Sequence, residues 1–393
     1  MSQTGTAASK PLAGVRVLDL TSVIMGPVCT QILADYGAEV VKVEPPEGDV
    51  MRHAGAKTSP QMGAMFLHAN EGKQSLVLDL KTEADRATLC RMLPSFDVFI
   101  HNVRPQAMKR LGLDEAAVRA LHPSVIYVEL TGYAESGPYA GRAAFDDIIQ
   151  AQTGLADLFA RQSGGAPAYV PTLIADRVTG LTAAHATLAA LYRRRETGQG
   201  DGIRVSMFET MAAFVLADHL GGASFQPPTG AMGYSRLLTP YRRPYRTLDG
   251  HIAVVVYNDK HWAAFFAAIG AQATFASDTR FQTAAARADH YDAIYGYLAG
   301  VLATRSSADW LALLEAADIP CCPVNRIEDL LDDPQLRAVG FFDESSTQDG
   351  HTLRRIAARY RAPSAQAACV APSPRVGQHT AELMTAPLFS EIS

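Results

Sequence analysis

Asp176 stands in the stretch LIADRVTG, residues 173–180, between an apolar triplet and a helical run of small residues. Two chemistries suit a carboxylate there. Aspartate at a helix start accepts hydrogen bonds from orphan backbone N–H groups, which is the ordinary cap. An ionised carboxylate is also a nucleophile toward a carbonyl carbon. The positive end of a helix dipole favours the ionised form, so the two readings are compatible. Local sequence favours the cap and leaves the nucleophile open. A second group of polar residues lies at strand ends: Asn70 and Lys73 before one strand signal, and Asn102, Arg104 and Arg110 after the next. Guanidinium forks and ammonium groups suit phosphate; solvated loop charge is the plainer reading.

These residues need a scaffold, and the first third of the chain supplies one. VRVLDL (15–20), AEVVKVE (38–44), QSLVLDL (74–80), FDVFIHNV (96–103) and SVIYVEL (124–130) are β-rich runs. Between them lie helical patterns over 26–36, 83–93 and 105–121. Such alternation predicts a parallel sheet with helices on both faces. Ligands in these sheets sit outside the carboxyl ends of the strands. The loops TSVIMGP (21–27), EPPEGD (44–49), HNVRP (101–105) and TGYAESGP (131–138) therefore carry the most interest. After Asp176 the pattern gives a long helix ending in RRRETGQG, a strand over 203–207 and a helix over 208–219. The Gly/Pro-containing run 221–234 reads as a linker, and YRTLDGHIAVVV (245–256) as a hairpin around Asp249-Gly250. Helical stretches follow over 259–269, 289–303 and 307–317. The expected organisation is a large domain over 10–220, a smaller α+β domain over 235–330, and a return segment over 331–393 with a last helix in 377–384.

Composition narrows the function classes. The 393 residues are 48% hydrophobic and 19% charged, which suits globular domains with sizeable cores. A formal charge of −5 gives no reason to expect nucleic acid as a partner. The five cysteines are odd in number, and none forms a CxxC pair, which argues against a disulfide framework or a zinc site. The polar start MSQTGTAASK has no apolar h-region, and no run is long enough to span a membrane, so a soluble cytoplasmic protein is expected. Several motifs fail in detail. No GxGxxG follows the first strand, and Gly72-Lys73 lacks the rest of a phosphate loop, since position 67 is Leu and position 74 Gln. No GxSxG elbow or HExxH is present, and no metal is expected.

The chain resembles the family III CoA-transferases, the group that includes formyl-CoA transferase, carnitine CoA-transferase and α-methylacyl-CoA racemase. The resemblance rests on PLAGVRVLDLTSVIMGPVCTQILADYGAEVVKVEPPEGD (11–49), NEGKQSLVLDLKT (70–82) and HNVRPQAMKRLGL (101–113). TGYAESGPYAGRAAFDDIIQAQTG (131–154), the Asp176 segment, RRRETGQGDGIRVSMFE (193–209) and WLALLEAADIPCCPVNRIEDLLDDPQL (310–336) continue it. It implies a Rossmann-like large domain built from both ends of the chain, a small domain between them, and ring-shaped subunits interlocked as a homodimer. It also implies CoA or acyl-CoA as substrate without a resident cofactor. Asp176 then aligns with the family nucleophile. Val23, Ile24 and Met25 are expected to line the CoA entrance, Asn70 and Lys73 to lie along the cofactor, and Asn102, Arg104 and Arg110 to lie near the nucleotide end. Tyr133 and Glu135 are assigned to the substrate side. Two positions depart from the family: Pro45 replaces a basic residue, and Ile24 replaces a glutamine beside the nucleophile.

Family racemases carry a His before the Asp of the segment after GP, and a Glu before the small-domain DG turn. Here those positions are Phe145 and Arg246. A phenyl ring cannot shuttle a proton and an arginine stays protonated. The transferase reading follows, with a 2-methylacyl-CoA racemase or a formyl-CoA:oxalate-type transferase as alternatives. Backbone N–H groups near the start of the Asp176 helix are expected to serve as oxyanion donors. The loop GYSRLLTPYRRPYRT (233–247) is not glycine-rich, which argues against oxalate. Arg236, Arg242 and Arg243 are close enough in sequence to fork a second carboxylate, although a surface or dimer-contact role suits them equally; a small dicarboxylic acid is the expected acceptor, with succinyl-CoA as a donor.

Overall fold

A computed structural model describes residues 10–347, 350–356 and 371–385; the polar N-terminal tail expected over 1–9 lies outside them. The chain divides into two compact units, 1–153 with 170–213 and 338–393, and 154–169 with 214–337.

The first unit is built on a six-stranded parallel sheet. In chain order the strands are β1 (Arg16–Leu20), β2 (Glu39–Glu44), β3 (Gln74–Val77), β4 (Val98–His101), β5 (Ile126–Thr131) and β6 (Asp201–Ser206). Their order in space is β3-β2-β1-β4-β5-β6, so the connection reverses direction between β1 and β4. In doubly wound sheets that reversal opens a crevice at the strand carboxyl ends. Helices α1 (Met25–Asp35), α2 (Ala64–Ala69), α3 (Glu83–Met92), α4 (Pro105–Leu111) and α5 (Glu115–Leu121) connect the first five strands; α6 (Asp146–Gln152) and the long α7 (Ile174–Thr197) precede β6.

Strand alternation explains why this sheet carries both apolar and charged residues. Side chains two apart share a face. Leu18, Leu20, Val41, Val43, Leu76 and Phe99 join one apolar core with Leu89 and Met92 of α3, Met108 of α4 and Val118 of α5. Each such burial contributes roughly 1.5–3 kcal/mol. The alternate positions Asp19, Lys42 and Glu44 point the other way, yet are also buried. They survive there by pairing. The Lys73 ammonium lies 3.3 Å from Asp19 Oδ2 and donates to Thr30 Oγ1 (2.7 Å), Asn70 Oδ1 (2.8 Å) and the Pro27 carbonyl (3.2 Å). Lys42 pairs with Asp49 at 3.0 Å, and Arg52 with Glu44 at 2.6 Å. Burial pushes the Asp19 carboxyl up, but Lys73, Lys42 and the Thr21 and Thr30 hydroxyls outweigh it and hold it below its ordinary range.

In the second unit, strands Tyr245–Arg246 and His251–Val254 form the hairpin expected around Asp249-Gly250, and Cys321–Pro323 adds a third antiparallel strand. Its core is aromatic, with Trp262, Phe265, Phe266, Phe281 and Trp310 buried together. The units differ from the partition expected from sequence. Residues 154–169 belong with the second unit, where Gln162 Nε2 donates to the carbonyls of Leu237 (3.3 Å) and Arg242 (2.9 Å). The run 221–234 is a folded loop rather than a bare linker, since Gly222 N donates to Ala231 O and Gly233 N to His219 O. In the return segment, strands Phe342–Ser346 and Thr352–Ile356 pair as a hairpin that the sequence pattern did not show. The last helix among the described residues, Thr380–Thr385, meets β3 through Val77 N and Thr380 Oγ1 (3.0 Å).

Lys73→Met leaves the Asp19 carboxylate buried without its ammonium, which costs about 3–5 kcal/mol. The urea unfolding midpoint is expected to fall accordingly, and Asp19→Asn in the same chain to recover part of the loss. An unchanged midpoint for Lys73→Met would contradict a structural role.

Candidate active site

The turn after β1 is held from below and from the side. Asp19 Oδ1 accepts from Thr21 N (2.8 Å) and Thr21 Oγ1 (2.5 Å), and Lys42 Nζ donates to Thr21 O (2.7 Å). Asn102, in the loop after β4, brackets the next residue: its Oδ1 accepts from Ser22 N (2.9 Å) and its Nδ2 donates to Ser22 O (2.8 Å). The chain then bends sharply. Val23 takes a left-handed φ of 69°, a strained conformation for a β-branched residue. Its N–H donates to Asp49 Oδ1 at 3.3 Å.

Above this turn lies a cleft of about 240 Å³, lined by the loops after β1, β4 and β5 and by the start of α7. It is the crevice that the strand order requires. Val23, Met25, Asn102, Arg104, Tyr133, Glu135 and Asp176, all singled out from sequence, line it. Arg142 lines it as well, with its guanidinium 4.4 Å from the centre of the Tyr139 ring. The stretch read from sequence as the β5 loop stops at Pro138, so Arg142 was missed by four residues. Tyr133 is buried, and its hydroxyl donates to Gln152 Oε1 at 2.5 Å. Glu135 is exposed and accepts from Gln106 at 3.3 Å.

Asp176 sits in the first turn of α7, but it does not cap the helix. The N-cap is Leu173, which offers no side-chain acceptor. The cap comes instead from Asp146, whose Oδ1 accepts from Ala175 N (2.7 Å) and Asp176 N (3.1 Å). This leaves the Asp176 carboxyl free to line the cleft. Gly180, one turn on, lets α7 cross α1 closely: a Cβ there would lie 2.6 Å from the Met25 carbonyl oxygen. The shift runs opposite to the one expected from the helix dipole. Burial, then the like charge of Asp146, push the Asp176 carboxyl up to about 7, while Arg177 opposes them. The expected oxyanion donors are also committed. The N–H groups of Ala175 and Asp176 serve Asp146, while Ile174 N donates to Thr172 O and Arg177 N to Leu173 O.

Other expected site residues lie elsewhere. Lys73 and Asn70 are buried beneath the turn, and the Lys73 ammonium is consumed by protein acceptors, so neither lies along the cleft. Burial depresses the Lys73 ammonium to about 8, against the pull of Asp19. Ile24 faces a separate crevice with Met65, His68 and Arg177. Arg110 is exposed on α4 and is not among the cleft residues. Arg242 and Arg243 are exposed in the second unit. They do not form a fork with Arg236, which donates to Tyr295 Oη at 3.0 Å and lines a different depression from Arg243. Among the described residues, no group of three or more His, Cys, Asp or Glu could hold a metal ion, and no helix is long and apolar enough to cross a membrane.

An aspartate whose folded pKa lies above its unfolded value destabilises the fold once the unfolded chain ionises. The penalty starts near pH 4 and is complete above about pH 7. Asp176→Asn is therefore expected to raise the thermal midpoint at about pH 8 and to leave it unchanged near pH 4. A gain of equal size at both pH values in calorimetry would show that the ionised carboxylate is not the source.

The family profile of CoA-transferase family III matches residues 12–380. The probable fatty acyl-CoA transferase Rv3272 of Mycobacterium tuberculosis is 32% identical, over 96% of this chain and 98% of its own length. A succinate–glutarate CoA-transferase of Agrobacterium fabrum is 31% identical, over 95% of each chain. A crystal structure of an aspartate-to-alanine mutant of Rv3272 superposes with a TM-score of 0.83 at 29% identity, over 96% of this chain and 100% of that one. With a sheet of Rossmann order, a carboxylate-bearing cleft at its switch point and similarity along nearly its whole length, the chain belongs to CoA-transferase family III.

Proposed function

We propose that Asp176 is the nucleophile of this CoA-transferase, and that the enzyme moves CoA from an acyl-CoA thioester to a small dicarboxylic acid. One observation carries the reading: Asp176 is a cleft-lining carboxylate whose desolvation raises its basicity and lowers the cost of stripping it for attack. The ionised carboxylate attacks the donor thioester carbonyl, forming an aspartyl–acyl anhydride and expelling CoA thiolate. The thiolate then attacks the aspartyl carbonyl, giving an aspartyl-CoA thioester and the free donor acid. The acceptor carboxylate attacks that thioester, and the returning thiolate cleaves the resulting anhydride at the acceptor acyl carbon. Asp176 is regenerated, and no proton, metal or redox group is consumed. Keeping CoA bound makes each thiolate attack effectively intramolecular, worth on the order of 7 kcal/mol.

Arg104 and Arg142 are the cations lining the cleft, and we assign them to the CoA phosphates. Phe145, which also lines the cleft, offers no proton carrier, which favours transfer over racemisation. The acceptor class draws support from the succinate–glutarate transferase among the relatives, and succinyl-CoA is the matching donor. The catalytic form is an interlocked homodimer of ring-shaped subunits acting in the cytoplasm. Sedimentation velocity is expected to show one dimeric species that does not dissociate on dilution into the nanomolar range; a concentration-dependent monomer would contradict interlocking.

The activity test mixes succinyl-CoA with a panel of C2 to C6 mono- and dicarboxylic acids and follows exchange by mass spectrometry. Dicarboxylates are expected to be preferred, Asp176→Ala and Asp176→Asn to lose exchange by several orders of magnitude, and hydroxylamine to trap label at Asp176. The rate is expected to fall as pH drops below about 7, because the attacking form is the carboxylate. Near-normal exchange by a folded Asp176→Asn would sink the assignment. Oxalate or a monocarboxylate as the best acceptor would sink the substrate class.

A further inference from the structure

Asp146 lies behind the cleft rather than in it. It is 5% exposed, thirty positions before Asp176, and absent from the cleft lining. Three donors nevertheless converge on its carboxylate. Oδ1 takes the two backbone N–H groups of Ala175 and Asp176, and Oδ2 takes Gln150 Nε2 at 2.6 Å. Gln150 is fully buried and is fixed in turn by the irregular segment leading to α7: its Oε1 accepts from Val170 N (2.8 Å) and its Nε2 reaches Val170 O (3.4 Å). The network ties α6 to both ends of the 170–176 segment.

An acceptor-only group suits that position. An asparagine could accept from the two backbone N–H groups, but its Nδ2 would face Gln150 Nε2, donor against donor. Flipping Gln150 would relieve that clash and break its pair with Val170. A carboxylate satisfies all three donors and also sets a negative charge beside Asp176. The groups facing Asp176 are few: Arg177 on its own helix, Asp146 from α6, and Arg104, Arg142 and Glu135 around the cleft.

Resting on the assignment of Asp176 as nucleophile, we infer that Asp146 is a positioning residue for the transfer reaction, capping the helix that carries Asp176 and setting a like charge beside its carboxylate. The cap fixes the backbone at Asp176 and occupies the N–H groups that would otherwise draw its side chain back onto the helix end. The charge keeps the nucleophile from being over-stabilised as an anion. An aspartate serving only as a cap would stabilise the helix and leave the chemistry untouched.

The two functions separate by substitution. Asp146→Asn removes the charge and retains most of the cap, whereas Asp146→Glu retains the charge and displaces the cap. With kcat and KM measured between about pH 5 and 9, at a temperature where circular dichroism shows both variants folded, Asp146→Asn is expected to move the acid limb of kcat down by about one pH unit. Asp146→Glu is expected to keep the limb in place and lose kcat at the plateau by more than about tenfold, since misplacing a reacting group costs up to a hundredfold. KM for the acyl-CoA is expected to stay within about twofold of the parent in both, because Asp146 does not line the cleft. If Asp146→Asn does not fold, Asp146→Ser, a shorter neutral cap, takes its place with the same expectation. An acid limb that stays put in the neutral variant, or activity lost only in proportion to unfolded protein, overturns the inference. Exchange that survives in Asp176→Asn overturns the nucleophile assignment instead, and the two failures are read from different variants.

Discussion

The turn between β1 and α1 depends on a buried set of charges. Asp19 can remain ionised on the inner face of the sheet only because Lys73 and Lys42 stand beside it, and those lysines can be buried only because Asp19, Asp49 and several carbonyls accept their hydrogen bonds and balance their charge. Breaking such a set by removing one partner costs far more than the net worth of having it. What it provides is geometry. Asp19, Thr21 and Lys42 fix where the chain leaves the sheet, Asn102 locks the next residue to the neighbouring loop, and Val23 is held in a left-handed conformation that an unsupported loop would relax. The cleft floor is rigid because the layer below it cannot shift without exposing an unpaired charge.

The same sheet positions the carboxylate. Helix α7 crosses α1 closely at Gly180, and its first turn is clamped to α6 by Asp146. Asp176 is thereby kept half-buried and beside a like charge, two conditions that disfavour its anion. Under the proposed mechanism that arrangement favours transfer, because a carboxylate less well solvated in the ground state is less costly to convert into an acyl derivative. Stability and chemistry pull in opposite directions at this residue, a trade common at functional sites.

Much of the first unit was legible in the sequence. The β-rich runs between 15 and 130 each produced a strand within a few residues of the expected place, because strand alternation and helical spacing report burial directly. The carboxyl-end loops were the right place to look for a cleft. Individual side chains were read less well. Lys73 and Asn70 were placed along the cofactor by family resemblance, and nothing local reveals that Asp19, fifty-four residues before Lys73, claims the ammonium and that both are buried beneath the turn. Arg236, Arg242 and Arg243 looked like a fork because they are close in sequence, but Arg236 is held by Tyr295 and lines a different depression from Arg243.

Asp176 shows the division most clearly. The sequence by itself determined that a carboxylate would stand at the start of a long helix, since small residues at helical spacing and the basic, glycine-terminated end specify that helix without outside help. It also carried the family pattern in which that carboxylate matters. Only the tertiary structure decided what kind of carboxylate it is. A cap from thirty residues away relieved it of the helix end, and the packing of α1 and α6 around it removed water and supplied a like charge. Acidity depends on what surrounds a group in space, and neighbours along the chain are only a small part of that surrounding.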